Sequence, residues 1–296
     1  MIDFDTYEMD LFRAFNGANG AKIGVKKDDV RYVLKIESRP HINPEKGYTN
    51  SCFSEHVACR VLDSIGAPVQ KTELGHITLK SGKRSLAVAC LDFTDNYTHF
   101  VDFASIKNTI TDSRSNGYGT ELADIEGALA EQLFVDPIEV TTFFWNMFIY
   151  DALIGNFDRH NGNWGFLLNE TMRTQAIAPI FDCGSSLYPQ LQIDEYRSIL
   201  CNTEEILNRV YVFPNSAIKE DEKKINYHNF LTSLKNKNCN DAVLRIVPNI
   251  DMDTIFNTIQ RIDDLNEIQK EFYFTMLDSR KRLILDAALE LLWKGA

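Results

Sequence analysis

Residues 137–154, Pro137-Ile138-Glu139 through Leu153-Ile154, constrain this chain more than any other stretch. Asp136 ahead of Pro137, with Glu139 at the third helical position, is a strong helix start: a capping acid, a proline whose missing N–H costs nothing there, and a carboxylate suited to the helix dipole. The helix it opens is apolar nearly all round, interrupted by Asn146 and Asp151. It therefore needs neighbours on every side and should be buried in the larger, mainly helical part of the fold.

That helix delivers the chain into a short polar loop, Asn156-Phe157-Asp158-Arg159-His160-Asn161-Gly162-Asn163. The loop presents a carboxylate, Asp158, and five residues later an amide, Asn163. A strand-like run follows (Trp164 to Leu168), then a turn at Asn169-Glu170, then a second apolar run (Ile177 to Phe181). It ends on Asp182-Cys183-Gly184. Magnesium takes oxygen ligands, commonly one or two carboxylates or amides completed by phosphates and water. Asn163 and Asp182 offer such a set from the two ends of one hairpin. Asp158 is then left to face an acceptor hydroxyl as base or orienting group, the layout by which phosphotransferases handle ATP.

Upstream, residues 1 to 37 read as three strands and two turns. Leu11 to Phe15 leads into Asn16-Gly17-Ala18-Asn19-Gly20, and Ala21-Lys22-Ile23-Gly24-Val25-Lys26 leads out. Asp28-Asp29 makes the next turn, and Val30 to Glu37 alternates. Gly17 and Gly20 would let backbone amides approach phosphate oxygens, with Lys22 on the outgoing strand beside them. Lys35 lies on one face of the third strand. After a polar segment, Phe53, Val57, Ala58, Val61, Leu62 and Ile65 recur at helical spacing and stop at Gly66. Glu55 sits at the margin of that apolar arc, where a carboxylate is drawn inward and wants a cation. Lys35 is the candidate, and capping the helix's first turn is the alternative or additional role. Lys35 would hold phosphate oxygens, Glu55 would hold Lys35, and His160 would make a phosphate or structural contact.

Leu74 to Leu79 and Leu86 to Leu91 read as a strand pair, after which Cys90-Leu91-Asp92-Phe93 leaves the sheet. If residues 1–91 form a small β-rich lobe, this connector is a hinge whose backbone at Cys90 and Leu91 would bond adenine, and residues 92–296 form a larger, mainly helical lobe. Residues 105–120 read as a flexible surface segment, Glu121 to Phe134 as an amphipathic helix, and Ser185 to Asn202 as an aperiodic segment shaping a substrate groove. Residues 219–240 read as a solvated region. Met252–Ile262, Ile268–Met276 and Lys281–Trp293 read as closing helices. The class is α+β.

Composition excludes some partners. A net charge of −11 argues against general nucleic-acid binding. No run reaches the ~18 apolar residues of a membrane span. The acidic start lacks the features of a signal peptide, so a cytoplasmic chain as synthesised, and a monomer, are the expectations. The six cysteines form no Cys-x-x-Cys pair, as expected of reduced thiols. There is no Gly-x-Ser-x-Gly elbow and no His-Glu-x-x-His to support rival nucleophilic or zinc chemistry.

With these motifs in place, the chain resembles the HipA-like serine/threonine kinases. Asp158-Arg159-His160-Asn161-Gly162-Asn163 is similar to the catalytic loop these share with phosphoinositide-type kinases, with Arg-His after the aspartate. Ser54-Glu55-His56-Val57-Ala58-Cys59-Arg60-Val61-Leu62, followed by Ile65-Gly66-Ala67-Pro68-Val69, is similar to their glutamate-bearing helix and the turn after it. The resemblance runs from about Gly17 into the C-terminal helices and departs in two respects: the N-terminal subdomain of HipA toxins is expected to be missing, and Cys183 stands where Phe is usual. It implies a bilobal, protein-kinase-like fold and a magnesium- and ATP-dependent kinase that phosphorylates protein Ser/Thr hydroxyls, itself included. Asp158 would be base, Asn163 and Asp182 metal ligands, and Lys35 the phosphate-binding lysine. It also leaves room for virulence-related, pro-inflammatory delivery to host cells. A lipid or small-molecule alcohol as acceptor, and a nucleotide-binding pseudokinase or interaction module, are the alternatives.

Overall fold

Asp28 and Asp29 both adopt left-handed backbone angles (φ 47° and 65°), the requirement of a two-residue hairpin turn whose twist matches its strands. They join β3 (Lys22–Lys27) to β4 (Val30–Ile36), and β2 (Glu8–Ala14) flanks β3. The structure, a computed structural model, describes residues 1–14, 22–37, 50–111 and 115–295, the side chains of 11–14 excepted. Gly17 and Gly20 lie outside the described residues. Next come α1 (Ser51–Ser64), β5 (Thr72–Thr78) and β6 (Arg84–Leu91). With β1 (Ile2–Asp3) they complete a six-stranded sheet in the order β1-β5-β6-β4-β3-β2, antiparallel except where β1 runs parallel to β5. Gly75 permits that last pairing, because a Cβ there would strike the Ile2 carbonyl.

The sheet is packed on both faces. Phe4, Tyr7, Val25, Leu34, Ile77, Ala87 and Ala89 form one core. Cys52 of α1 joins Leu74, Leu86, Val88 and Cys90 in another. This sheet and α1 belong to a first compact unit, residues 1–93 with 182–198 and 253–273; the second comprises 94–181, 199–252 and 274–296.

The second unit is mainly helical. β7 (Thr98–Asp102) runs into α2 (Phe103–Ile110), capped by the Asp102 carboxylate accepting from the Ser105 N–H at 2.7 Å. α3 (Leu122–Glu131) precedes α4 (Pro137–Ile154), whose Asp136 cap accepts from Ile138 as the sequence led us to expect. β8 (Gly165–Asn169) then pairs with β7 and with β9 (Thr174–Ile177). This unit also holds α6 (Thr203–Tyr211), the short hairpin of β10 (Lys219–Glu220) and β11 (Lys223–Lys224), α7 (Tyr227–Ser233) and α8 (Lys237–Ile246), whereas the preceding α5 (Ile193–Leu200) falls mostly in the first unit. The chain closes with α9 (Met252–Gln260) and the first half of α10 (Glu267–Arg280), which, Met252 apart, belong to the first unit, and then the rest of α10, a wider π-type stretch over Lys281–Asp286, and α11 (Ala287–Gly295), which belong to the second. Around α4, Trp145 stacks on Phe230 and Phe148 packs edge-on to it. From Phe144 to Ile154 every residue but Asn146 is buried, which is what the apolar helix demanded.

Three expectations are corrected. Residues 105–120 are not simply a surface segment: α2 buries Phe103, Ala104, Ile106 and Lys107, and the Lys107 ammonium donates to the Gly119 carbonyl at 3.1 Å. Residues 219–240 are not merely solvated, since α7 buries Tyr227, Phe230 and Leu231. Residues 185–202 include α5. In each case a short element carries few apolar residues among polar ones, too few for a period to stand out. Among the described residues no helix is long and apolar enough to cross a membrane. Cys52, Cys59, Cys90, Cys183 and Cys239 are buried free thiols and Cys201 is an exposed one.

His56, on the buried face of α1, lies with Nδ1 3.0 Å from the Thr72 hydroxyl. Burial pushes its pKa down to about 4, with Arg60 acting in the same sense. The folded chain thus keeps His56 neutral, while the unfolded chain protonates it near pH ~6.5. Its contribution is present above that pH and is lost as pH falls toward 4, at up to about 1.4 kcal/mol per pH unit. Between pH ~7 and ~5, denaturant unfolding of the wild type should lose about 2 kcal/mol more stability than that of His56→Asn; equal losses would show that His56 does not titrate this way.

Candidate active site

In the first unit the chemistry gathers on a buried carboxylate. Glu55 is 2% exposed, and no apolar neighbour could stabilise its charge there. One oxygen, Oε2, accepts from the Lys35 ammonium at 2.7 Å, so the cation expected for it is the one present. The other, Oε1, accepts from the backbone N–H of Cys183 at 2.9 Å. Lys35 also reaches Asp182 Oδ1 at 2.8 Å, and Lys22 lies 3.8 Å from Asp182 Oδ2. β3 and β4 bring the two lysines together, because Lys22 and Lys35 are register partners. Burial disfavours the Lys35 ammonium, but Asp182 and Glu55 more than compensate and hold its pKa well above the usual lysine value. Asp182 itself takes left-handed backbone angles (φ 55°), uncommon for a residue with a side chain. A Cβ at Gly184 would come within 3.0 Å of Glu55 Oε2, so a residue without one follows the Asp182-Cys183 step.

The adenine contact expected at Cys90 and Leu91 meets backbone that is already committed. Cys90 sits in β6 between β4 and β5, opposite Val33 and Thr72. The Leu91 N–H donates to the Lys71 carbonyl at 2.8 Å, and its carbonyl accepts from Gln70 Nε2 at 2.8 Å. The Leu91 N–H is thus taken, while its carbonyl keeps a second lone pair that an adenine amino group could use.

In the second unit the loop after α4 is built on a buried ion pair. α4 ends at Gly155 in the left-handed conformation (φ 65°), which turns the chain sharply. Asp151 and Arg159 are 2% and 3% exposed. The guanidinium donates through Nε to Asp151 Oδ2 at 3.0 Å and through Nη2 to Oδ1 at 3.1 Å, a planar two-pronged match. Burial raises the Asp151 pKa, against the pull of Arg159 and of Asn156 Nδ2, which donates to Oδ1 at 3.0 Å. Arg159 Nη1 donates to the Asn163 carbonyl at 3.0 Å and also to the carbonyl of Phe181, the residue before Asp182.

Asn156 is fully buried and bonded through both its backbone and its side chain. Its N–H donates to the Asp151 carbonyl, its carbonyl accepts from the Tyr227 hydroxyl at 2.6 Å, and its Oδ1 accepts from the Asp158 N–H at 3.0 Å. Asn163 Nδ2 donates back to the Asp158 carbonyl at 3.1 Å. This ties together the two loop positions singled out from sequence. His160 has a loop-shaping contact: its Nδ1 accepts from the Gly162 N–H at 3.1 Å. Asn161 Nδ2 donates to the carbonyls of Gly117 and Gly119, each at 2.8 Å. Arg280, buried, donates from Nε to the Ala152 carbonyl at 2.7 Å, a cation at the negative end of α4. Sequence reasoning missed the supporting roles of Asp151, Asn156 and Tyr227. The one available signal was an acid inside an otherwise apolar run.

Residues 14–269 match the family described as HipA-like C-terminal domain. Over 288 residues the chain is 46% identical to the serine/threonine-protein kinase CtkA of Helicobacter pylori, covering 97% of this chain and 87% of that one. The crystal structure of a Helicobacter pylori proinflammatory kinase CtkA aligns with a TM-score of 0.91 at 45% identity, covering 100% of this chain and 99% of that one. HipA of Shewanella oneidensis MR-1, in its complex with HipB and operator DNA, aligns with a TM-score of 0.57 at 15% identity, covering 96% of this chain and 69% of that one. This last likeness is one of fold alone.

Removing one partner of a buried ion pair leaves the other charge uncompensated. Arg159→Met should lower unfolding stability by about 3–5 kcal/mol, read as a fall in the denaturant midpoint. Arg159→Lys, which keeps the charge but not the fork, should cost less. A midpoint unchanged in Arg159→Met would mean that the Asp151 pair does not hold the loop.

Proposed function

The chain belongs to the HipA-like C-terminal domain family, and from that premise we propose that it is a magnesium- and ATP-dependent protein serine/threonine kinase that also phosphorylates itself. The observation that carries this reading is the buried Glu55 carboxylate, with one oxygen on the Lys35 ammonium and the other on the N–H beside Asp182. A lysine held cationic by a buried acid, next to a second acid, is what a triphosphate and its counter-ion need.

The donor set fits a hard divalent cation. Asp182 offers a carboxylate that already attracts two ammonium groups, and Asn163 offers an amide oxygen on a side chain anchored through its nitrogen. Asn163 and Asp182 would hold magnesium, which when bound offsets the charge on the phosphate oxygens. Lys35 binds phosphate oxygens, and Glu55 keeps it oriented. Asp158 takes the proton of the acceptor hydroxyl as that oxygen attacks the γ-phosphorus. The bond from phosphorus to the β–γ bridging oxygen breaks, and ADP leaves with that oxygen. Asn156, bonded to the Asp158 N–H, orients the base for this step.

The test is phosphate transfer from γ-labelled ATP with magnesium, to the protein itself and to a generic Ser/Thr protein. The wild type should incorporate label. Asp158→Asn should lower the rate by about 100- to 10,000-fold, the usual contribution of a positioned base. Asp182→Asn and Lys35→Met should be similarly impaired; Lys35→Met, which strands the buried Glu55 carboxylate, should also melt lower and is assayed below its midpoint. No incorporation by a folded, ATP-binding wild type would overturn the proposal. Transfer to lipid vesicles and not to protein would replace the acceptor class.

A further inference from the structure

α6 ends at Tyr211 and the chain continues through Val212 and Phe213, so three large apolar side chains in a row face solvent. Val212 is 62% exposed and Phe213 44%. Leu207, one turn back on α6 and also exposed, shares the face of Tyr211. This patch reaches the catalytic loop. The ring of Phe213 lies 5.5 Å from that of Phe157, and Phe157 is the residue before Asp158. Beyond its other end, Glu204 stands exposed on the same helix face, three residues before Leu207. Among the described residues Glu204 has no ion pair, whereas its neighbour Glu205 is paired with Arg209.

We propose that the Phe157–Phe213–Val212–Leu207 surface docks the acceptor segment of the protein substrate, taking a bulky apolar side chain near the Ser/Thr hydroxyl and a basic one farther along, at Glu204. This rests on the kinase reading above and adds to it a substrate class. The occupant follows from position and charge. Whatever covers Phe157 lies next to the residue assigned to receive the acceptor's proton, so a segment presenting a hydroxyl to Asp158 crosses this patch. The patch begins within ~10 Å of that carboxylate, two to three residues of extended chain. Glu204 lies seven positions before Tyr211, ~10 Å along the helix axis, or about three further residues of extended peptide. An overall charge of −11 and an exposed acid at the end of the patch favour a basic segment. They disfavour both a second copy of this acidic chain and an anionic membrane surface.

A position-scanning library of Ser/Thr peptides, phosphorylated with labelled ATP, tests this. The wild type should prefer a bulky apolar residue two to four positions from the acceptor and Lys or Arg about three positions beyond it, each by about tenfold in kcat/KM over alanine. Val212→Glu should replace the apolar preference with a basic one. Glu204→Lys should turn the outer preference from basic to acidic. Both positions are exposed, and melting curves check that the variants fold. A wild type without these preferences, or variants that keep the wild-type pattern, would overturn the docking surface. Autophosphorylation without transfer to any peptide would also overturn it while leaving the kinase reading intact. No transfer of any sort would overturn the kinase reading, and the docking surface with it.

Discussion

A carboxylate out of water must be met by a cation or by N–H donors, and Glu55 is met by both. That requirement fixes much of the first unit. It needs α1 to turn Glu55 inward, β4 to present Lys35 on the matching face, and the chain at Cys183 to offer its N–H. Strand register is part of the same condition. A one-residue slip of β4 would send Lys35 to the opposite face, strip Glu55 of its partner and undo the alignment of Lys35 with Lys22 on β3. Cores on both faces of the sheet keep that register, since the slip would also bring polar residues inward.

The second unit meets the same physical demand with a different pair. Asp151 lies inside the buried stretch of α4, and its burial is tolerable only because Arg159 returns from the loop to meet it with two hydrogen bonds. The pair closes the loop into a fixed shape, and the spare capacity of the guanidinium is taken up by the Asn163 and Phe181 carbonyls. Asn156 passes that rigidity to Asp158 through a single hydrogen bond. The residues of greatest chemical interest are therefore held by others that contribute only charge pairing and backbone bonds, which is how a loop attains the precision of a helix.

The exposed apolar run after α6 breaks this pattern. Around α4 aromatic side chains are buried, while Val212 and Phe213 stay in water. Burying an apolar side chain is worth about 1.5–3 kcal/mol, so leaving adjacent ones exposed beside the loop withholds from folding a free energy that remains for binding.

The sequence by itself determined the elements with strong local signals. The Asp28-Asp29 hairpin, the α1 periodicity, the Asp136-Pro137 start of α4 and the first strand of the hairpin between Asn163 and Asp182 all depend on neighbours a few residues apart, and all could be read directly. The ordered appearance of Lys35, Glu55, Asp158, Asn163 and Asp182 was legible for the same reason, and so was the pairing of Lys35 with Glu55. Tertiary structure alone decided the rest. β9 pairs over Thr174–Ile177 rather than along the apolar run that follows, because hairpin register and not hydrophobicity chose the partners. α2 and α7 are held by burial against distant residues, a contribution that a short polar-rich stretch does not announce. Asp151 looked like an interruption and proved to be an anchor, because the partner that makes its burial favourable lies eight residues on, past the end of the helix. Periodicity reports which face of an element is apolar. Which buried charges meet depends on contacts that only the folded chain creates.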